Sequence, residues 1–560
     1  MRIIPAFILA LFLGATAAHA QWQSTTYDLK GGWNAIYLTG DAGYEPLDTM
    51  LPADVVEVWR WNSNPNQVQF TQSPQIPSAG TPDWSVWKRG QPSASSLSQL
   101  TGQNAYLVRC TGTVADSYSV TIKQSPRPPR ATWVRNGANL LGFPSIESGG
   151  NYPLFSNYFS TFPIATAANT RIYKYVGGDL GAGNPLQVFS PSFERLDRTK
   201  AYWFSAEVVG TFYAPLELSL SSQDGMHFGR AGSEITVIVR NRTSSPVTVT
   251  FDLESSEAAP VGETGINGGV PLTELTYNTG TLQWDSTIIS GPLTKAIGAQ
   301  DSVEVKFGVN RTDASMVNAS SDALFASLLR VTESGNLMDV YLPVSATKGT
   351  LAGLWIGDIS LNAVGYADGV VGSVPREYSL RTLLHVDDAG IARLLSQVFL
   401  GQLDGGGELF GISTRESHLK QDAKASAQRL TAAHMPLDQV IATGSGNVAI
   451  GSTLTRTITV PFDDPTNPFV HQYHPDHDNL NARFDGLSAG EESYSVSRAC
   501  SFTFTASPPA GSTVNSGWGS AVIGGTYDEV ISGVHRRDIR MTGTFELRRA
   551  SEIGAITTAP

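Results

Sequence analysis

Charged residues are scarce in this chain of 560 residues. Asp, Glu, Lys and Arg together make up 16% of it, whereas an average globular protein contains about 25%. The formal net charge is −12, and no cluster of Lys or Arg offers the positive surface that nucleic acids require. The composition therefore excludes a nucleic-acid partner and favours surfaces made polar by hydroxyl and amide groups.

Cysteine is scarcer still, because the chain contains only Cys110 and Cys500. A fold that depends on several disulfides is therefore excluded, since at most one bridge could form. The two residues lie far apart in the sequence. Whether they pair or remain two separate buried thiols stays open at this point.

Long apolar segments are missing after the first twenty residues, so no transmembrane helix is predicted there, because a span needs about 20 apolar residues. Residues 1–20 combine Arg2, a short apolar stretch and the small-x-small pattern of 18–20, Ala-His-Ala. This order is typical of a cleaved secretory signal. We expect export to the periplasm, the cell surface or the medium; a retained anchor or a buried helix is the alternative.

Two common signatures of enzymes are also missing, the phosphate loop G-x-x-x-x-G-K-[ST] and the zinc motif H-E-x-x-H. Paired carboxylates do occur at 387–388 and 463–464. Adjacent residues on a strand point to opposite faces, so these pairs are more typical of solvated turns than of a glycosidase acid and base. The sequence favours a non-catalytic protein.

Glycine and proline are abundant, with 55 and 31 residues, and hydrophobic residues reach 41%. Many short strands joined by turns would produce this balance. The chain is also too long for a single hydrophobic core. We therefore predict a mainly β, multi-domain protein.

The first part of the chain contains an internal repeat. Three segments recur later in the same order. The pairs are Gly32–Leu38 with 137–143, 58–61 with 172–175, and 105–108 with 201–204. We predict two β modules, at 21–125 and 126–216, the second being a possible repeat of the first.

The Gly-Trp-Asn of 32–34, with the apolar strand it opens and the aromatic strand 58–61, resembles the "GWN" β modules of many secreted bacterial proteins. The chain as a whole resembles uncharacterised large secreted multi-domain β proteins of bacteria, and this resemblance implies no function. In such modules the aromatic side chains line a small β core. Trp33, Trp59 and Trp61 are therefore predicted core residues, and stacking on sugar rings is the alternative.

Residues 217–349 are typical of an immunoglobulin-like β-sandwich. Turn signals separate its short, alternating apolar segments at the density expected for such a fold. Strands are predicted at 235–241, 247–251, 301–307, 325–331 and 338–344. Sandwiches of this kind usually act as spacers or present a ligand site, so they indicate little chemistry.

The C-terminal residues 350–560 predict a β-rich domain with one helix. The segments 383–387 and 392–398 are predicted to form a hairpin around the turn 388–390. A helix is predicted for 416–434, which is rich in Ala, Lys, Gln and Leu and is followed by Pro436.

One cluster in this domain is a candidate metal site. Three histidines and two aspartates fall within eight residues, in a segment whose two prolines, Pro468 and Pro475, favour a fixed loop. The histidines and aspartates are His471, His474, Asp476, His477 and Asp478. Imidazole and carboxylate suit zinc, whereas the carboxylates alone suit calcium. The sequence therefore predicts a metal-stabilised loop, and ordinary turn-forming residues are the alternative.

The cluster partly resembles the H-x-H-x-D-H motif of metallo-β-lactamase-like hydrolases. The first histidine of that motif is replaced by Gln472, and His535 is the only histidine that follows the cluster. We therefore do not assign the chain to that family.

The sequence thus predicts a secreted or cell-surface, non-catalytic binding or structural protein, whose partner would be a glycan or an extracellular protein. Two alternatives remain: a secreted metal-dependent hydrolase that uses 471–478, and a carbohydrate-binding protein that uses its aromatic faces. The oligomeric state is not predicted.

Overall fold

The computed structural model describes residues 21–62, 73–130, 133, 137–181, 183–205, 212–405, 410–432, 440–461, 464, 467, 495–510, 517–535 and 537–558. Strands hold 52% of the chain and helices only 6%, which confirms the mainly β, multi-domain fold. The predicted secretory signal and the cluster at 471–478 lie outside the described residues. Within those residues no helix combines the length and the apolar character needed to cross a membrane.

The first module consists of two antiparallel sheets. Its elements are β1 (Gln23–Lys30), β2 (Gly32–Leu38), β3 (Gly40–Asp41), the short helix α1 (Leu47–Met50), β4 (Val55–Trp61), β5 (Trp84–Lys88), a 3-10 turn at Pro92–Ala94, β6 (Asn104–Cys110) and β7 (Ser117–Pro126). One sheet has the order β1-β7-β3, and the other has the order β2-β6-β4-β5. All seven residues of β2 are buried, which explains why Asn34 is the only strongly polar residue of this strand.

The second module contains one four-stranded sheet. Its elements are β8 (Ala138–Leu141), α2 (Phe155–Tyr158), 3-10 turns at Phe159–Thr161 and Pro163–Thr166, β9 (Arg171–Lys174), β10 (Leu186–Val188) and β11 (Tyr202–Ser205). The order β8-β11-β9-β10 matches β2-β6-β4-β5, and the strands that carry the aligned sequence segments occupy equivalent places. The two sheets therefore share one topology, while the predicted domain boundaries stay a prediction.

These two equivalent sheets pack against each other through a shared aromatic core. Trp203 of the second sheet contacts Trp61 and Trp84 of the first, with ring centroids 5.5 and 6.2 Å apart. Backbone bonds join the sheets as well, because the N–H of Trp33 donates to the carbonyl of Gly178 at 2.9 Å. The predicted modules are thus packed side by side.

The third region is a β-sandwich, as predicted. Its elements are β12 (Leu216–Leu220), β13 (Met226–His227), β14 (Glu234–Asn241), β15 (Val247–Ser255), β16 (Ile266–Gly268), β17 (Leu272–Asn278), β18 (Gln283–Ile288), β19 (Leu293–Ile297), β20 (Ser302–Val309), α3 (Ala314–Val317), β21 (Leu324–Glu333) and β22 (Asp339–Thr347). One sheet has the order β12-β14-β20-β17-β18, and the other has the order β13-β22-β21-β15-β19, with β16 beside β21. The five strands predicted from the sequence correspond to β14, β15, β20, β21 and β22.

The core of the sandwich continues into the second module. Phe143, Phe155 and Phe159 of that module belong to the same buried cluster as Phe251 and Phe307 of the sandwich. The junction also contains a buried ion pair, because Arg198 donates to Asp339 at 2.5 Å. The two regions therefore share one hydrophobic core.

The C-terminal region is built on a nine-stranded sheet. Its elements are β23 (Gly353–Tyr366), β24 (Gly372–Val386), β25 (Ala392–Leu395), β26 (Gln397–Gln402), β27 (Phe410–Ser413), 3-10 turns at Glu416–His418 and Lys424–Ser426, β28 (Gln428–Thr431), β29 (Val440–Ile441), β30 (Gly444–Ser445), β31 (Thr453–Val460), β32 (Val496–Phe504), β33 (Val522–Ser532) and β34 (Ile539–Ser551). The order is β29-β25-β24-β23-β34-β33-β32-β31-β30, and β27-β26-β28 form a smaller sheet. The two edge strands of the large sheet, β29 and β30, follow each other directly in the chain. The two edges of the sheet therefore lie close together, and the sheet curls around its core.

The helix predicted at 416–434 is wrong. Two 3-10 turns and the strand β28 occupy the described part of this segment. Gln428–Thr431 pairs with β26, for example Gln428 with Leu400. Backbone pairing to a neighbouring strand has overridden a helix propensity that amounts to only tenths of a kcal/mol per residue.

Candidate functional site

The three predicted tryptophans lie at the interface between the two modules. Trp33 and Trp59 are 9% and 4% exposed, and Trp61 is half-buried. Their rings meet their neighbours edge-on or tilted, as in the Trp61–Trp84 pair at 68°. Such burial and tilt favour the core-packing interpretation, because a sugar platform needs an exposed, flat face.

The five candidate metal ligands belong to a segment that the structure does not describe. His471, His474, Asp476, His477 and Asp478 all lie outside the described residues, as does the segment 486–490, whose Gly-Leu-Ser-Ala-Gly matches the G-x-S-x-G pattern. That pattern points to a hydrolase only where a strand, a tight turn and a helix surround it. In the part of the chain that is described, no group of three His, Cys, Asp or Glu side chains could hold a metal ion.

A large open cleft separates the first module from the sandwich. Its volume is about 1170 Å³. One wall is formed by the segments 41–44, 99–104 and 125–130 of the first module, and the other by 218–224 and Glu263 of the sandwich. The loops that follow strands β3 and β7 thus face the edge strand β12, and we call this cavity the intermodule cleft.

Arg127 joins the two walls of the intermodule cleft. Its Nε donates to Asp41 of the same module at 2.5 Å, and its Nη1 donates to Asp224 of the sandwich. Burial lowers the pKa of Arg127, but the bonds to the two carboxylates outweigh this and raise the pKa overall. The guanidinium is therefore permanently charged, and its ion pairs with Asp41 and Asp224 connect the two walls.

Most other polar groups of the intermodule cleft carry no charge. Four amide side chains line it, namely Gln99, Gln103, Asn104 and Gln223. Four aliphatic hydroxyls do so as well, those of Thr101, Ser125, Ser219 and Ser222. These groups can donate and accept hydrogen bonds, so the lining suits a polar but uncharged ligand.

Hydrogen bonds within the protein hold the amide side chains of Gln103 and Gln223 in place. The Nε2 of Gln103 donates to the carbonyls of Thr39 and Arg127 at 2.9 and 2.8 Å, and its Oε1 accepts from the hydroxyl of Tyr37 at 2.6 Å. The Oε1 of Gln223 accepts from Arg130 at 3.1 Å. Such bonds hold the lining in one arrangement.

Two aromatic residues, Trp22 and Tyr44, line the intermodule cleft. Tyr44 packs edge-on against Trp22, with ring centroids 5.5 Å apart at 88°. Trp22 is only 3% exposed, whereas Tyr44 is half-buried, and burial raises the pKa of its phenol. Tyr44 is therefore the aromatic side chain that a ligand in the cleft could touch.

Sequence reasoning missed this site because it contains no motif. The lining residues come from four separate segments together with Trp22 and Glu263, and most of them are common polar types in loops. The only usable signal was the density of amide and hydroxyl residues in the loops after β3, β5 and β7, and that signal is weak.

No family model and no curated protein matches the chain. Among solved structures, the CupB2 chaperone of Pseudomonas aeruginosa is similar at 11% identity and a TM-score of 0.16, over 31% of this chain and 96% of that one. The E. coli chaperone DraB is similar at 15% identity and a TM-score of 0.15, over 32% and 89%. A Bacteroides ovatus protein of unknown function is similar at 9% identity and a TM-score of 0.16, over 60% and 95%. TM-scores this low support no conclusion about fold or function.

Proposed function

We propose that this protein is an exported, non-catalytic binding protein that holds an uncharged glycan in the intermodule cleft. The observation that carries this proposal is the lining of the cleft, where three of the five charged side chains are paired with each other and most of the other polar side chains are neutral amides and hydroxyls. Export rests on the signal-like residues 1–20.

The size of the intermodule cleft favours an extended ligand. Pockets for small molecules measure about 300–1,000 Å³, and this cleft, at about 1170 Å³, lies above that range. A chain of several sugar rings would occupy it better than a single metabolite would.

The chemistry of the lining favours an uncharged ligand. Two arginines and three carboxylates face the cleft, and Arg127 already binds two of those carboxylates. A strongly charged ligand would have to displace these pairs, whereas sugar hydroxyls can bond to exposed neutral side chains such as Gln99 and Ser219. The half-buried ring of Tyr44 offers a face on which a sugar could stack.

The fixed walls of the cleft favour binding without rearrangement. Besides Arg127, the sandwich is tied to the first module by Glu257, whose carboxylate accepts from the backbone N–H and the hydroxyl of Ser24 at 2.8 and 2.7 Å. A site that is ordered in advance loses less entropy on binding.

The proposal is tested by affinity electrophoresis of the intact protein through gels that contain neutral polysaccharides: laminarin, pullulan, xyloglucan, galactomannan or arabinogalactan. We expect retardation by at least one of them, followed by a dissociation constant from calorimetry. The variant Tyr44→Ala should weaken that binding by about tenfold, since an aromatic contact contributes about 0.5–1.5 kcal/mol beyond its buried area.

A matched control is Tyr378→Ala, which removes an exposed tyrosine from the C-terminal region. It should leave glycan binding unchanged. If no neutral polysaccharide retards the protein, or if both variants weaken binding equally, the intermodule cleft is not a glycan site.

A further inference from the structure

We propose that a second cavity, between the sandwich and the C-terminal region, binds a phosphate or sulfate group through Arg311 and Lys348. This cavity has a volume of about 370 Å³ and is separate from the intermodule cleft. The proposal does not depend on the glycan-binding function. We call the cavity the oxyanion pocket.

Arg311 is the more deeply buried of the two cations. It follows strand β20, and its side chain is 5% exposed. Its two terminal nitrogens donate only to backbone carbonyls, at 3.0 to 3.2 Å; these belong to Phe228, Gly229, Gly232 and Thr347. Its Nε is buried and donates to no other described residue.

The charge of Arg311 is not compensated by a carboxylate within the described part of the chain. Its guanidinium has no ion pair there, and burial alone lowers its pKa to about 10. A buried charge without a counter-charge is strongly disfavoured, which is why buried charges are normally paired. An anion in the oxyanion pocket would supply the missing partner.

Lys348 brings a second positive charge to the same pocket. Its ammonium donates to the carbonyl of Val317 at 3.1 Å and, among the described residues, forms no ion pair. Burial and the nearby charge of Arg311 lower the pKa of Lys348. The positive charges of the two side chains repel each other, so a bound anion would stabilise both.

The carboxylates at the pocket do not neutralise this pair. Asp387 is already bonded to Arg393 at 2.8 Å and to the backbone N–H groups of Ala389 and Ile391. Asp388 is exposed at the rim. The remaining polar side chains are the hydroxyls of Ser321, Thr350 and Ser520. The hydroxyl of Ser520 donates to the carbonyl of Gly517 at 3.3 Å, whereas those of Ser321 and Thr350 can donate to the oxygens of a tetrahedral anion.

The size of the pocket admits a free ion or a terminal ester group. Charge-assisted bonds to phosphate and sulfate oxygens are the stronger class of hydrogen bond. Both sources present the same chemistry to Arg311 and Lys348, so the experiment has to separate them.

The test is calorimetric titration of the intact protein with sodium phosphate and with sodium sulfate, at constant ionic strength set by sodium chloride. We expect saturable binding of one equivalent. Lys348→Met should weaken it by about tenfold or more, because a charged donor is lost. Lys348→Arg should keep it within about threefold, because the charge remains.

Lys420→Met is the matched control, because it removes a lysine that is 42% exposed and lies outside the pocket. It should not change binding. Circular dichroism establishes that each variant is folded, and Lys348→Gln replaces Lys348→Met if the latter does not fold. Glucose 6-phosphate added in a second series separates the two sources: displacement of inorganic phosphate shows that the pocket accepts an ester, and no displacement shows a site for the free ion.

The proposal is overturned if neither phosphate nor sulfate binds saturably. It is equally overturned if Lys348→Met binds them as tightly as the native protein does.

Discussion

Arg498 and Glu529 form a buried ion pair inside the curled C-terminal sheet. Their closest atoms are 2.5 Å apart, and the side chain of Glu529 is fully buried. The hydroxyl of Tyr527 donates to the second carboxylate oxygen at 2.8 Å. Both oxygens of Glu529 are therefore satisfied, which is the condition under which a buried carboxylate is tolerated.

We predict that Glu529→Gln lowers the free energy of unfolding by about 3–5 kcal/mol, because the substitution leaves a buried guanidinium without its counter-charge. Urea denaturation followed by near-ultraviolet circular dichroism measures this. The neighbouring Asp528 pairs with Arg540 at 2.5 Å on the exposed face, so Asp528→Asn should change stability little. Equal effects of the two variants would contradict the prediction.

The sequence left open whether the two cysteines form a disulfide. Cys110 and Cys500 are both buried and are not bonded to each other. Burial raises the pKa of each thiol to about 12, against about 8.5 for a free cysteine. They are two separate thiols in two separate cores.

We therefore predict that neither thiol reacts with Ellman's reagent at pH 8 in the folded protein, and that both react in denaturant. The unfolded thiols ionise first, so their contribution to stability is complete below about pH 8.5 and declines as the pH rises toward 12. Rapid modification of either cysteine in the folded protein would rule out this account of their burial.

The candidate metal site stays a prediction of the sequence. We expect the purified protein to contain about one equivalent of zinc or calcium, bound by side chains among 471–478. The variant His474→Ala/His477→Ala should lose a zinc ion. Elemental analysis measures the metal content of the native protein and of the variant. A native protein that contains no metal, and whose melting temperature does not change after chelation, would refute the site.

At the scale of secondary-structure elements, one glycine explains how strand β2 of the first module lies against the second module. Gly32 begins β2 with a φ of +86°, and a Cβ atom there would lie 2.3 Å from the carbonyl oxygen of Gly178. The position therefore requires glycine for two reasons, its backbone conformation and the close approach of the second module.

A matched pair of variants separates these two reasons. Gly80 has a φ of +80° and open space around it, so Gly80→Ala should cost only the conformational strain, about 1–2 kcal/mol. Gly32→Ala should cost clearly more, because the alanine also pushes the two modules apart. Thermal unfolding of both variants measures the difference, and equal destabilisation would show that the close approach is unimportant.

Elements were predictable where their signal is local. Alternating apolar residues and turn residues located the strands of the sandwich, because the period of a strand and the conformation of a turn depend on a few neighbouring residues. The helix predicted at 416–434 failed because β28 gains its hydrogen bonds from β26, a partner that no local pattern reveals.

At the scale of the whole molecule, the sandwich shares its hydrophobic core with the second module. Its core includes Phe143, Phe155 and Phe159 of the second module, and the backbone N–H of Asp339 donates to the carbonyl of Pro144. Removing the module would expose the apolar side of the sandwich to water.

We predict that residues 217–349 produced alone bind the dye ANS and unfold at a lower temperature than residues 21–349, which keep the shared core. The exposed apolar surface is the cause. Fluorescence and calorimetry of the two fragments provide the comparison. A short fragment that binds no dye and melts at the same temperature would mean that the sandwich is stable without its neighbour.

The amino-acid sequence was sufficient to predict the β class, the strand positions in the sandwich and the order of the repeated strands, because each follows from local patterns of residues. The packing of the sheets was needed to show that Trp33 and Trp59 lie between the modules and that Arg127 bridges two walls of a cleft. It alone placed Arg311 and Lys348 at one cavity. These features join segments that are distant in sequence, and their contact depends on how whole sheets pack, which no local pattern specifies.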